Sequence, residues 1–188
     1  MTLTRQERER ELHKLHWRIR RCRLCYLWKT RQRAVPGEGP LDARAMLIGE
    51  APGKKEDESG RPFVGPAGRF FDGLLKEAGI KRGSVFVTST IKCLPVDSGK
   101  PARESIEACN PYLQGQVELV RPRILCLMGG VAAKTLLGVE RVADIRGRIL
   151  ERPEGRYLVT YHPQAGRRFP DIRKWMRRDF ELLAEHIG

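Results

Sequence analysis

Four short apolar runs, separated by helical patterns, restrict the fold of this chain more than any other feature. They are Ala45–Gly49, 85–88, 123–128 and 157–160. Runs this short and rich in Val, Ile and Leu read as strands buried on both faces. The intervening sequence is helical in period. Residues 5–21 place Leu12, Leu15, His16 and Ile19 on one stripe, and 66–78 begin at Pro66, turn Phe70, Phe71, Leu74 and Leu75 inward, and stop at Gly79. Further helices are predicted over 103–120, with distortion at Asn110-Pro111, and from Gly130 to Leu137. A last one starts near Asp171. It is predicted to bury Ile172, Trp175, Met176, Phe180, Leu183 and Ile187, with Arg173, Lys174, Arg177 and Arg178 opposite. A proline- and glycine-containing loop is expected over 94–101. Strands alternating with helices predict an α/β fold whose mostly parallel sheet is covered on both faces. At 188 residues, the chain is expected to form a single domain over 1–188.

Charge narrows the choice of partner. Lys and Arg number 36 against 23 Asp and Glu, a net charge of +13. The excess sits at both ends: residues 5–33 hold eleven Lys/Arg against three Glu, and 167–178 hold six against Asp171. Such asymmetry attracts a polyanion. No run approaches the roughly 20 apolar residues of a membrane span, and the N-terminal stretch has no apolar signal region. A cytoplasmic protein with no membrane partner is expected.

Five cysteines in such a chain point to metal or reactive thiols rather than disulfides. Cys22 and Cys25 form a C-x2-C pair, Cys93 and Cys109 lie far downstream, and Cys126 sits inside an apolar run as a small core residue. Four thiolates suit either tetrahedral zinc or an iron–sulfur cluster, and their spacing leaves both open.

Ligand sites in parallel sheets lie at the carboxyl ends of the strands. After the first strand comes Gly49-Glu-Ala-Pro-Gly53, continuing through Gly60-Arg-Pro-Phe63-Val-Gly65; after the second, Thr88-Ser-Thr-Ile-Lys-Cys93; after the third, Gly129-Gly130; after the fourth, Tyr161-His162-Pro163. A carboxylate, an aromatic ring, hydroxyls and a histidine thus converge on one edge.

These residues, in this order and with these cysteine spacings, resemble the family 4 (iron–sulfur) uracil-DNA glycosylases. The resemblance covers nearly the whole chain, including 35–39, 60–68, Ile91-Lys-Cys93 and His162-Pro163. It implies a three-layer α/β/α sandwich around a four-stranded, mostly parallel sheet. It further implies a [4Fe-4S] cluster held by Cys22, Cys25, Cys93 and Cys109. The implied activity is monofunctional: uracil is flipped out of single- or double-stranded DNA and its N-glycosidic bond hydrolysed, leaving an abasic site. Glu50 and His162 would be catalytic, with Glu50 positioning water and His162 donating to the leaving base. Phe63 would stack on the flipped base, with Ala51 and Ser89 completing its pocket. The chain is expected to act as a monomer, associated with the nucleoid of a prokaryote.

Two positions depart from the family pattern. The family usually has Asn, which reads the uracil edge, where this chain has Ser89. A hydroxyl both donates and accepts over a shorter reach, which predicts weaker activity or a wider range of deaminated bases. After His162 the family loop is richer in small and apolar residues. Here Arg167 and Arg168 would engage phosphates, with Phe169 as the wedge. No longer basic, histidine-containing loop separates Cys93 from Cys109, which argues against covalent trapping of DNA. The alternative is a catalytically weak iron–sulfur protein that binds damaged or single-stranded DNA. A third reading is a zinc protein that binds RNA.

Overall fold

The computed structural model describes residues 3–96 and 99–188. The expected 94–101 loop therefore includes two residues, 97 and 98, outside that description. Five strands form one sheet: β1 (Ala45–Gly49), β2 (Phe86–Ser89), β3 (Ile124–Met128), β4 (Ile149–Arg152) and β5 (Gly155–Thr160). Their order is β2-β1-β3-β5-β4. All pairs are parallel except β4 with β5, which form an antiparallel hairpin at one edge. The expected four-stranded sheet is corrected to five. The extra strand escapes a pattern search because only Ile149 and Leu150 are apolar, and charged residues flank them. An edge strand needs no second buried face.

Among the described residues, eight α-helices surround the sheet: α1 (Arg5–Arg21), α2 (Lys54–Ser59), α3 (Pro66–Glu77), α4 (Arg103–Val120), α5 (Gly130–Leu137), α6 (Val142–Ile145), α7 (Pro163–Arg168) and α8 (Pro170–Ile187). Alternate strand residues feed opposite layers. Met46, Ile48, Phe86, Leu125 and Leu127 pack with Leu12 of α1, Leu113 of α4 and Ala132 of α5. Ala45, Leu47, Val87, Cys126 and Leu158 pack with Phe71 and Leu74 of α3 and Phe180 and Leu183 of α8. Every residue of β1, β2 and β3 is buried, which is why these strands read as continuous apolar runs. Helix α4 spans the expected 103–120 with Pro111 inside it. One helical detail differs from expectation. Trp175 is 38% exposed; Asp179 takes a place in the buried stripe of α8 and bonds Thr160 Oγ1 at 2.6 Å.

The chain leaves β1 for edge strand β2 on one side and later takes central β3 on the other. That reversal opens a crevice at the carboxyl ends of β1 and β3.

Candidate active site

A cleft of about 660 Å³ occupies that crevice, lined by Glu50, Ala51, Phe63, Ser89, His162, Arg167, Arg168 and Phe169 among others. Each base-pocket and DNA-contact residue expected from sequence therefore reaches one cavity. Glu50 and Ala51 directly follow β1, Ser89 ends β2, and His162 follows β5 as the N-cap of α7.

Phe63 is the most constrained of them. Its backbone is in the left-handed region at φ +52°, a conformation costing a non-glycine residue about 1–3 kcal/mol. Its ring is 5.0 Å from Phe71 and 6.1 Å from His162, centroid to centroid. Two glycines make room for it. A Cβ at Gly68 would lie 1.9 Å from the Phe63 carbonyl oxygen, and one at Gly49 would lie 2.5 Å from Phe63 Cζ.

What holds this turn is Glu56, a residue the sequence reading passed over. Its Oε1 accepts from the backbone N–H groups of Val64 (2.8 Å) and Gly65 (2.7 Å), and its Oε2 from that of Gly53 (3.1 Å). One carboxylate thus ties the Glu50-bearing loop to the Phe63-bearing loop. The available signal was a glycine followed three residues later by glutamate, a capping-box spacing. Lys54–Ser59 has no apolar stripe and so no helical period in the sequence; capping, not an apolar face, builds α2. Its next residue, buried Asp57, accepts from Gln32 N–H at 3.0 Å and so anchors the cysteine-bearing segment. Glu56→Ala is expected to lower stability by about 2–3 kcal/mol, as for other charge-assisted hydrogen bonds. Denaturant unfolding measures it; a loss under about 0.5 kcal/mol would mean the turn holds itself.

Two titratable groups of the cleft, Glu50 and His162, are shifted in opposite directions by the same cause. Burial pushes the His162 imidazole down to about 4, with the Glu56 carboxylate partly offsetting it. The ring is therefore neutral at neutral pH. Its Nδ1 accepts from the Gln164 backbone N–H at 3.2 Å, which leaves the ring proton on Nε2. Burial raises the Glu50 carboxyl above its ordinary range, opposed by Lys100. Beneath the cleft floor, fully buried Lys92 donates to the Ser89 carbonyl (2.6 Å), Thr88 Oγ1 (2.7 Å) and Gln116 Oε1 (2.8 Å). This fixes the backbone that carries Ser89.

The segment after His162, expected as loop, is the short helix α7 ending in Arg167 and Arg168. Phe169 follows it, 47% exposed, with the Arg168 guanidinium 5.4 Å from its ring centroid.

A second, smaller cavity is lined by Cys22, Cys25, Cys93 and Cys109, together with Trp28, Arg31 and Tyr112. Among the described residues, no three His, Cys, Asp or Glu side chains are gathered tightly enough for a single ion. Arg31 Nη1 donates to Cys93 Sγ at 2.9 Å and the Leu24 N–H to Cys22 Sγ at 3.4 Å. Cys126 is fully buried in β3, away from this cavity.

Among known proteins, the sequence model of the uracil DNA glycosylase superfamily matches residues 36–183. A Type-4 uracil-DNA glycosylase of Pyrobaculum aerophilum is 40% identical over 182 residues, covering 92% of this chain and 93% of that protein. One from Saccharolobus solfataricus is 40% identical over 180 residues, covering 90% and 83%. One from Thermotoga maritima is 33% identical over 175 residues, covering 90% and 91%. Similarity of this extent, on a sheet whose strand ends converge as described, means that the chain belongs to the uracil DNA glycosylase superfamily.

Proposed function

We propose that this protein is a monofunctional uracil-DNA glycosylase, acting as a single domain over 1–188. One observation carries the reading: Glu50, Phe63, Ser89 and His162, from four separate segments, line the same cleft. A base inside a duplex is out of reach, so the nucleotide must be flipped, at about a few kcal/mol of unstacking. Phe63, rigidly held, offers the face on which the flipped uracil stacks. The neutral His162 presents Nε2–H to the uracil O2, where negative charge grows as the glycosidic bond breaks. Glu50, when ionised, faces the cationic sugar and orients the attacking water. Ala51 is small enough to let its backbone N–H approach base or water. Product is free uracil and an abasic site.

Ser89 sets selectivity in this scheme. Replacing it with Asn lengthens the reach toward the base edge and supplies both a carbonyl and an amide. Ser89→Asn is expected to sharpen discrimination of uracil against other deaminated bases by about tenfold or more. Base-release rates on otherwise identical oligonucleotides carrying uracil, hypoxanthine or xanthine measure it. Unchanged ratios would remove Ser89 from the base-reading role.

Arg167, Arg168 and Phe169 stand at the cleft mouth, where arginines meet phosphates and an exposed ring wedges the duplex. Replacing both arginines with Gln should flatten the dependence of log affinity on log salt by about 1.8, at roughly 0.9 per duplex phosphate contact. An unchanged slope would mean this helix end does not touch the backbone.

Cys22, Cys25, Cys93 and Cys109 would hold a [4Fe-4S] cluster. Four thiols around one cavity, with N–H groups already directed at two sulfurs, fit that group. Bound there, it would supply a structural cross-link and no redox step. The cysteines join the end of α1, the segment after β2, and α4. No helix among the described residues is long and apolar enough to cross a membrane. The proposed activity places the protein in the cytoplasm, associated with the nucleoid, as a monomer working on uracil-containing DNA.

A further inference from the structure

The end of α1 and the cysteine-bearing turn carry a surface that the cleft does not use. Residues 18–33 contain seven Lys/Arg and no Asp or Glu. Arg18, Arg20, Arg21, Arg23 and Lys29 form no salt bridge among the described residues, whereas Arg8, Arg61, Arg82, Arg146 and Arg177 all have carboxylate partners. The same stretch leaves large aromatic residues in solvent: Trp17 is 55% exposed, Tyr26 46% and Trp28 37%. Two of them carry guanidinium groups: Arg21 lies 4.6 Å from the Trp17 centroid and Arg23 lies 4.9 Å from that of Trp28. None of these residues lines the cleft.

Helix geometry explains part of this. Arg18, Arg20 and Arg21 complement the negative end of the α1 dipole. It explains neither Arg23 and Lys29, which lie beyond the helix, nor two tryptophans in water, since this side chain is mostly buried on average. Duplex DNA would use the cations alone, because its bases are already stacked on one another. A protein partner would use the indoles but would need many carboxylates to match five cations that form no salt bridge among the described residues. Unpaired nucleic acid uses both: its phosphates neutralise the cations, and its bases stack on rings already paired with arginine.

We propose that Trp17, Tyr26 and Trp28, with Arg21 and Arg23, form a stacking platform for single-stranded DNA. It is separate from the base-excision cleft and holds strand that flanks a lesion in unpaired DNA.

The test uses cluster-loaded protein and a labelled oligothymidylate without uracil, beside a duplex of equal length. Trp17 is chosen because it is exposed and does not line the cysteine cavity. Trp17→Ala should weaken oligothymidylate binding at least about fivefold, the lower end of what one stacked base contributes. Duplex affinity and the rate of uracil release from duplex should change less than about twofold. Trp17→Phe should restore most of the single-strand affinity. Arg21→Gln with Arg23→Gln should flatten the single-strand salt slope by about 1.4, at roughly 0.7 per contact. Equal losses on single strand and duplex would overturn stacking in favour of phosphate contact alone. Unchanged affinity for both would overturn the nucleic-acid assignment and leave the surface to a protein partner. Since the probe carries no uracil, neither outcome bears on the glycosylase reading.

Discussion

Cys109→Ala should yield colourless protein with iron at background and a thermal midpoint well below that of the parent. Cys22→Ala, Cys25→Ala and Cys93→Ala should do the same. The reason is linkage: a group that binds only the folded chain contributes its binding free energy to folding. The cysteines tie α1 to the segment after β2 and to α4, and beside them lies a third apolar cluster, containing Leu15, Ile19, Leu27 and Ile91. Partly buried Ala51 packs against that cluster, so loosening it disturbs the cleft. Cys126→Ala is the control. Its thiol is fully buried between Leu47 and Leu158 in the sheet, so its loss costs only a small cavity, about 1 kcal/mol, and leaves iron intact. Iron analysis and visible absorbance measure both. Full iron in Cys109→Ala would refute the ligand set.

The second large effect concerns His162 and Glu50, which stabilise opposite charges of one transition state. His162→Ala should lower the single-turnover rate about 10²–10³-fold, the range seen when one oxyanion donor is removed, with little change in DNA affinity. Glu50→Gln keeps shape but removes charge, so its loss of rate isolates electrostatics and water activation. The pH profile follows from the shifts. His162 is neutral above about 4 and donates through Nε2, so no step should appear near the ordinary histidine value of 6.5. Glu50 must be ionised, and burial raises its carboxyl. The rate should therefore fall on the acid side, beginning above the ordinary carboxylate range, and Glu50→Gln should abolish that limb. A rate that drops as pH rises through 6.5 would mean that an imidazolium, not the neutral ring, assists departure of the base.

How far the sequence could be read depends on what physically holds each part. The four parallel strands were legible because burial on both faces leaves them almost wholly apolar, and the site followed because parallel strands present their ends to one crevice. Edge strand β4 was not, since one covered face leaves only Ile149 and Leu150 as signal. Helices α2 and α7 were missed for a related reason. Neither buries an apolar stripe; one is held by the Glu56 carboxylate and the other starts on the His162 cap. Glu56 itself looked like one charge among several in Lys54–Ser59. The positive φ of Phe63 had no sequence signature beyond the glycines around it, and those acquire meaning only when Gly68 and Gly49 are seen against its carbonyl and ring. Trp175 fitted the helical period yet lies outside, stacked on Tyr161 at 5.8 Å between centroids. Periodicity assigns a face; it does not say whether anything covers the end of that face.

The most direct test of the whole account is to mix excess cluster-loaded protein with a uracil-containing oligonucleotide and quantify free uracil together with the state of the strand. One uracil should be released per lesion, leaving a continuous sugar–phosphate chain that breaks only on later alkali treatment. DNA that is bound with its uracil still attached would contradict it, and would identify this protein as one that recognises DNA without excising the base.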